Sequence, residues 1–171
     1  MDVREAIRNR RSIRKYQVGA KVPREDIEKM LEAAMMAPSA CNTRPWEFVV
    51  VLNEEKIRKI IEFSPYTGMM KTASAAIIVC GLPQYLGPQE KKLEYWPQDC
   101  GAAIENLLLE AEALGYGTCW CGFYPDMPRV KQLQDEFDIQ SVPLAVVALG
   151  VADEKPAARG YYDAKKVRFV E

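Results

Sequence analysis

Three runs of apolar residues, 48–52, 75–80 and 143–149, constrain this chain more than any other feature. Each has the length of a strand, and each is apolar at nearly every position rather than at every second one. A strand that reads this way is covered on both of its faces. Helical repeats lie between the runs. Ile27, Met30, Leu31 and Ala34 recur at helical spacing behind Pro23, and Pro38 ends that pattern. Ile57, Ile60 and Ile61 share one side of residues 54–62, and Val130, Leu133 and Phe137 share one side of residues 129–137. The pattern predicts an α+β fold, a central sheet flanked by helices on both sides.

The strongest helical segment is 100–114, where Ile104, Leu107, Leu108, Ala111 and Leu114 repeat and Gly115 closes the helix. Ala102, Ala103, Leu109 and Ala113 fill neighbouring positions. A helix apolar on more than one side is a central one, and a subunit interface would account for its second face. A short helix is expected at 3–9, with Val3, Ile7 and Ala6 facing inward, and a short strand at 117–122. Residues 64–70 read as a turn and linker. Residues 81–97 are the least regular part of the chain and carry Tyr85, Tyr95 and Trp96. The end of the chain is a basic strip, Lys165, Lys166 and Arg168, interleaved with Val167, Phe169 and Val170. It has too little local packing to stand alone and is expected to lie on this subunit or on a partner.

Composition removes several function classes. With 171 residues, 49% of them hydrophobic, one domain over 1–171 is the expectation. A net charge of −1 argues against a general nucleic-acid binder. The complete lack of histidine excludes His-based zinc sites and Ser-His-Asp or Cys-His catalysis. Cys41, Cys80, Cys100, Cys119 and Cys121 are odd in number and irregularly spaced, and read mostly as small buried hydrophobes in a reducing compartment. Cys119-x-Cys121 is closer than the usual CxxC spacing, and no metal is expected. With no apolar leader and no membrane-length run, the expectation is a cytoplasmic protein without a membrane partner. No GxGxxG follows a strand and no P-loop is present, which disfavours a Rossmann dinucleotide domain.

Three segments can carry chemistry. The first 18 residues hold six basic and two acidic groups in an otherwise slightly acidic chain. Such a run is either a solvated basic face or a phosphate site, since arginine pairs with phosphate oxygens through a rigid fork. Pro38, Ser39, Asn42 and Trp46 lie in a proline-stiffened loop, which serves either turn chemistry or hydrogen bonding to a heterocycle. The glycines between 115 and 122 either ease a crossover into the sheet or let backbone N–H groups approach a planar ligand.

Taken together and in this order, the segments resemble the nitroreductase family of flavoproteins. Arg10-Arg11-Ser12-Ile13-Arg14-Lys15-Tyr16 looks like its opening motif, and the run APSACNTRPW from Ala37 to Trp46 like its second. The stretch from Asp99 to Trp120 is similar to its central helix and the glycine-rich turn behind it. The resemblance implies a mixed central sheet flanked by helices, in a homodimer with FMN at the interface. It implies that Arg10, Arg11 and Ser12 meet the phosphate side and Arg14 the pyrimidine edge of the flavin. It implies that Pro38, Ser39, Ala40 and Asn42 touch the flavin held mainly by the other subunit. Gly122, or its neighbour Cys121, would offer a backbone N–H toward flavin N5, and Arg168 would add a further phosphate contact. The implied activity is an oxidoreductase in which NAD(P)H reduces the flavin, and a small planar acceptor such as a nitroaromatic, quinone or flavin reoxidises it. No catalytic side chain is required. The chain is short for the family, so residues 81–97 would be the main cover, with Tyr85, Tyr95 and Trp96 as substrate contacts. The alternatives are an FMN-binding protein with a structural, sensory or storage role, or another flavin chemistry such as reductive dehalogenation.

Overall fold

The computed structural model describes residues 1–86, 91–157, 160 and 162–171, with the backbone alone for 84–86 and 91–93. Helices α1 (Val3–Asn9) and α2 (Arg24–Met35) precede strand β1 (Trp46–Val51), helix α3 (Glu54–Phe63) and strand β2 (Ala75–Gly81). Two short strands, β3 (Gln84–Leu86) and β4 (Lys91–Leu93), pair with each other. Helix α4 (Trp96–Ala113), strand β5 (Gly117–Gly122), helix α5 (Met127–Phe137) and strand β6 (Val142–Gly150) follow.

The main sheet runs in the order β1-β2-β6-β5. All three of its ladders are antiparallel, and the parallel component is a single bridge between Ser12 and Thr118 at the outer side of β5. The expected double-sided burial follows from simple alternation. Ala75, Ile77 and Val79 of β2 and Ala145, Val147 and Leu149 of β6 face one layer, built with α2 and α4. Ala76, Ile78, Cys80, Val146 and Ala148 face the other, built with α3 and α5. Cys119 and Cys121 of β5 belong to this second layer. Burial pushes the Cys80 and Cys100 thiols up to about 12, so they act as inert packing groups.

Three expectations change. Helix α4 begins at Trp96, four residues earlier than its apolar repeat suggests, with Pro97 in its first turn, where a missing N–H costs nothing. Trp96 is therefore a core residue, 4% exposed and edge-on to Tyr124, rather than a substrate contact. Tyr95 stays exposed, whereas Tyr85's side chain lies outside the described residues. On α1 only Ala6 is buried, while Val3 and Ile7 are 72% and 57% exposed, because no element among the described residues covers that face. In the basic tail Phe169 and Val170 are 83% and 81% exposed.

Candidate active site

The arginine-rich segment is fixed by backbone pairing. Ile13 N–H donates to the Thr118 carbonyl at 2.8 Å, and Gln17 N–H to the Val151 carbonyl at 2.9 Å. Tyr16 is buried, and its hydroxyl donates to the Ile13 carbonyl at 2.8 Å. Two glycines make room for this seat. A Cβ on Gly117 would come within 2.9 Å of the Ile13 side chain, and one on Gly150 within 2.8 Å of the Tyr16 ring. The segment thus lies along the outer edge of β5 and aims its cations from there.

An open cleft of about 720 Å³ borders that edge. Arg14, Cys119, Trp120, Cys121 and Gly122 form one wall, and Pro65, Tyr66, Gly68 and Met69 the other. The size falls within the range of about 300–1,000 Å³ usual for small-molecule sites. Strand parity decides which backbone groups face outward. In an antiparallel ladder the N–H and C=O of one residue point to the same side. The Thr118 carbonyl accepts from Ile13, and Phe123 N–H donates to Leu144. Trp120 and Gly122 therefore turn their backbone groups to the open side, while the Cys121 N–H faces β6. Among the described residues, no atom beyond its two chain neighbours lies within 4 Å of where a Cβ of Gly122 would sit, so a flat ligand can reach this backbone.

Of the residues expected from sequence, Arg14, Cys121 and Gly122 are brought together in the cleft. Ser12 sits beside it through the Thr118 bridge. Arg10 is held in an ion pair with Glu105 of α4 at 3.1 Å. Arg11 donates to the Ala157 carbonyl at 2.9 Å and to the Arg10 carbonyl at 2.7 Å. Both are anchored along the segment without lining the cleft. The loop of Pro38, Ser39, Ala40 and Asn42 is built separately. Ala40 N–H donates to the buried Asp99 carboxylate at 3.0 Å, and the Ser39 hydroxyl accepts from Arg44 N–H at 2.9 Å. Cys41, Asn42 and Arg44 all have positive φ, an unusual density of left-handed non-glycine residues, of a kind found at functional sites. None of the four lines the cleft on this chain, and neither does Arg168, which lies in the exposed tail.

The far wall, Tyr66 and Met69 above all, is a part of the site that sequence reasoning missed. Met69 sits in a short 3₁₀ turn, Gly68–Thr72, and Tyr66 just before it, both within the segment 64–70 that reads as a linker. The Pro65 and Gly68 punctuation was the available signal.

The electrostatics of the cleft centre on Arg14 and the two thiols. A hydrogen bond from Cys121 lowers the Cys119 thiol, and Arg14 and Ser12 act in the same sense against its burial. The same hydrogen bond, with burial, raises Cys121. A cationic guanidinium and outward backbone N–H groups make the wall receptive to a planar ligand with electron-rich edges.

Comparison with known proteins agrees with this geometry. The model of the Nitroreductase family matches residues 7–76 and 64–151. A protein of Methanothermobacter thermautotrophicus, provisionally named NADH dehydrogenase/NAD(P)H nitroreductase, is 46% identical over 99% of this chain and 87% of its own length. A Clostridium acetobutylicum crystal structure, provisionally described as an NADH oxidase, superposes with a TM-score of 0.87 at 40% identity, covering 97% of this chain and 99% of that one. An FMN-dependent nitroreductase of Clostridium difficile superposes with a TM-score of 0.85 at 29% identity, covering 99% of each chain. The chain belongs to the Nitroreductase family, a family of oxidoreductases.

Proposed function

We propose that this protein is an FMN-dependent NAD(P)H oxidoreductase acting on small planar acceptors, nitroaromatics, quinones or flavins. The observation that carries the proposal is the meeting of Arg14 with the outward N–H of Gly122 in one open cleft. FMN needs cations for its phosphate and a flat slot with a donor for its ring. The residues present fit both needs: three arginines in five positions, and a glycine edge with open space above it. Arg10, Arg11 and Ser12 would hold the phosphate side, Arg14 the pyrimidine edge, and the Gly122 N–H the N5 edge. When bound, FMN supplies the two-electron chemistry between a nicotinamide donor and the acceptor. The chain orients the two reactants in turn and offers positive partial charge to the reduced ring through Arg14 and the strand edge.

The same reading gives the uncovered surfaces an occupant. Val3 and Ile7 of α1, Met35 and Met36 at the end of α2, and Phe169 and Val170 of the tail are all exposed. A second copy of the chain would cover them in a homodimer, bringing Pro38, Ser39, Ala40, Asn42 and the tail with Arg168 to the flavin of the other subunit. Among the described residues no helix is long and apolar enough to cross a membrane. A cytoplasmic location is part of this proposal.

FMN titration followed by flavin fluorescence tests the phosphate assignment. Replacing Arg11 by Ala removes one charge-assisted contact worth about 1.5–3 kcal/mol, so affinity falls about ten- to a hundredfold. Arg10→Ala falls in the same direction, by less, because that side chain already pairs with Glu105. Unchanged affinity in both variants removes the assignment.

A further inference from the structure

The segment that leaves β6 runs beside the arginine motif. Gln17 N–H donates to the Val151 carbonyl and Asp153 N–H to the Lys15 carbonyl, each at 2.9 Å, around an antiparallel bridge between Tyr16 and Ala152. In a regular ladder residues 15 and 153 would exchange a second bond, from Lys15 N–H to the Asp153 carbonyl. The partly buried Glu154 takes that donor instead. One oxygen of its carboxylate, Oε1, accepts from Arg14 N–H at 2.5 Å and from Lys15 N–H at 3.2 Å. We propose that Glu154 is a positioning residue for the flavin: its carboxylate clamps the backbone of Arg14 and Lys15 and so holds Arg14 at the cleft. The role rests on the FMN reading given above.

Geometry and charge both point this way. Arg14 lines the cleft between two anchored neighbours. Ile13 before it donates its N–H to the Thr118 carbonyl, and Tyr16 after it is buried in the second core layer. Between these anchors, Glu154 takes the N–H groups of both remaining residues. Bonds from backbone N–H to a carboxylate are charge-assisted, and stronger than those to a neutral oxygen. The carboxylate is engaged with the backbone and leaves the guanidinium alone. Among the described residues the Arg14 side chain hydrogen-bonds to the Ser12 carbonyl at 3.4 Å and has no carboxylate partner. Arg10, by contrast, is paired with Glu105. Arg14 therefore keeps its charge for a ligand. A cation fixed at the pyrimidine edge favours the reduced ring, so the clamp governs how easily the flavin is reduced as well as how tightly it is held.

A double-mutant cycle between Glu154 and Arg14, read by FMN titration of the full chain, tests the clamp. Glu154→Leu is expected to weaken FMN binding about tenfold. It is also expected to shift the midpoint potential of the bound flavin to a more negative value. In the Arg14→Ala background the same change is expected to alter affinity by less than about twofold, because its effect runs through Arg14. Glu154→Gln keeps an acceptor oxygen in place and is expected to stay within about threefold of wild type. Amide hydrogen exchange on the flavin-free chain reads the clamp directly: exchange at Arg14 and Lys15 is expected to speed up about tenfold in Glu154→Leu. The proposal is overturned if Glu154→Leu binds FMN as tightly as wild type, if it loses as much affinity without Arg14 as with it, or if exchange at both amides is unchanged. A wild-type chain that takes up no FMN overturns the flavin reading, and with it the role given to the clamp, even where the exchange result stands.

Discussion

Gly117 and Gly122 stand at the two ends of β5, five residues apart, and do opposite things. At Gly117 the lacking side chain lets Ile13 seat against the strand, whereas at Gly122 it leaves a backbone bare to the cleft. Gly117→Ala forces a Cβ into the Ile13 side chain and is expected to destabilise the fold by about 1–3 kcal/mol, as overpacking does. Flavin content falls with it, because the arginine segment loses its seat. Gly122→Ala meets no atom and is expected to stay within about 0.5 kcal/mol of wild type in stability. It still lowers flavin content by narrowing the slot. Urea denaturation and flavin-to-protein absorbance ratios separate the two cases; equal stability losses would sink the distinction. The residue types at the site were legible in the sequence: the arginines, Ser12 and the glycines all stand out. Their division of labour was not. Whether an N–H faces β6 or the cleft depends on strand parity, which only the register of Thr118 against Ile13 supplies. The pairing of Arg10 with Glu105 joins positions 95 residues apart, beyond any local signal.

At the scale of elements, α4 holds the molecule together. Ile104, Leu107 and Leu108 are buried against one sheet layer with α2. Leu107→Ala leaves a cavity and is expected to cost about 2–5 kcal/mol, read as a fall in the urea midpoint with an unchanged slope. A loss under about 1 kcal/mol would mean that this face is not core. The apolar runs and repeats located the helices and the strands of the main sheet to within a few residues, because burial on two faces writes itself into composition, but they missed the β3–β4 pair inside 81–97, which reads as irregular. They misplaced the start of α4, since Trp96-Pro97 carries no apolar repeat and reads as loop. They also misjudged α1, whose Val3 and Ile7 look inward by periodicity but are exposed, with no element among the described residues covering them. The turn at Pro65–Met69 was invisible as a site because its role comes from lying opposite β5, a long-range contact.

For the whole molecule, exposed apolar groups at α1, α2 and the tail are the unpartnered surfaces that the proposed homodimer covers. Light scattering should give twice the chain mass of 19.4 kDa. Removing residues 162–171 takes away Tyr162, Phe169 and Val170 with Arg168. The shortened chain is expected to dissociate at lower concentration and to lose flavin; a shortened chain that stays dimeric and fully loaded would place the tail outside both roles. The family itself was legible in the sequence from motif order, whereas the separation of the Pro38–Asn42 loop from the cleft on one chain was not.

The central claim is that the cleft beside β5 passes electrons from a nicotinamide to an acceptor through FMN. Its most direct test is the visible spectrum of the purified protein under anaerobic titration with NADH and then NADPH. The account predicts oxidised-flavin absorbance that bleaches with one of the two nucleotides, at a rate compatible with turnover, and returns when a quinone or nitroaromatic is added. A colourless protein that takes up no FMN, or a bound flavin that neither nucleotide reduces, would contradict it.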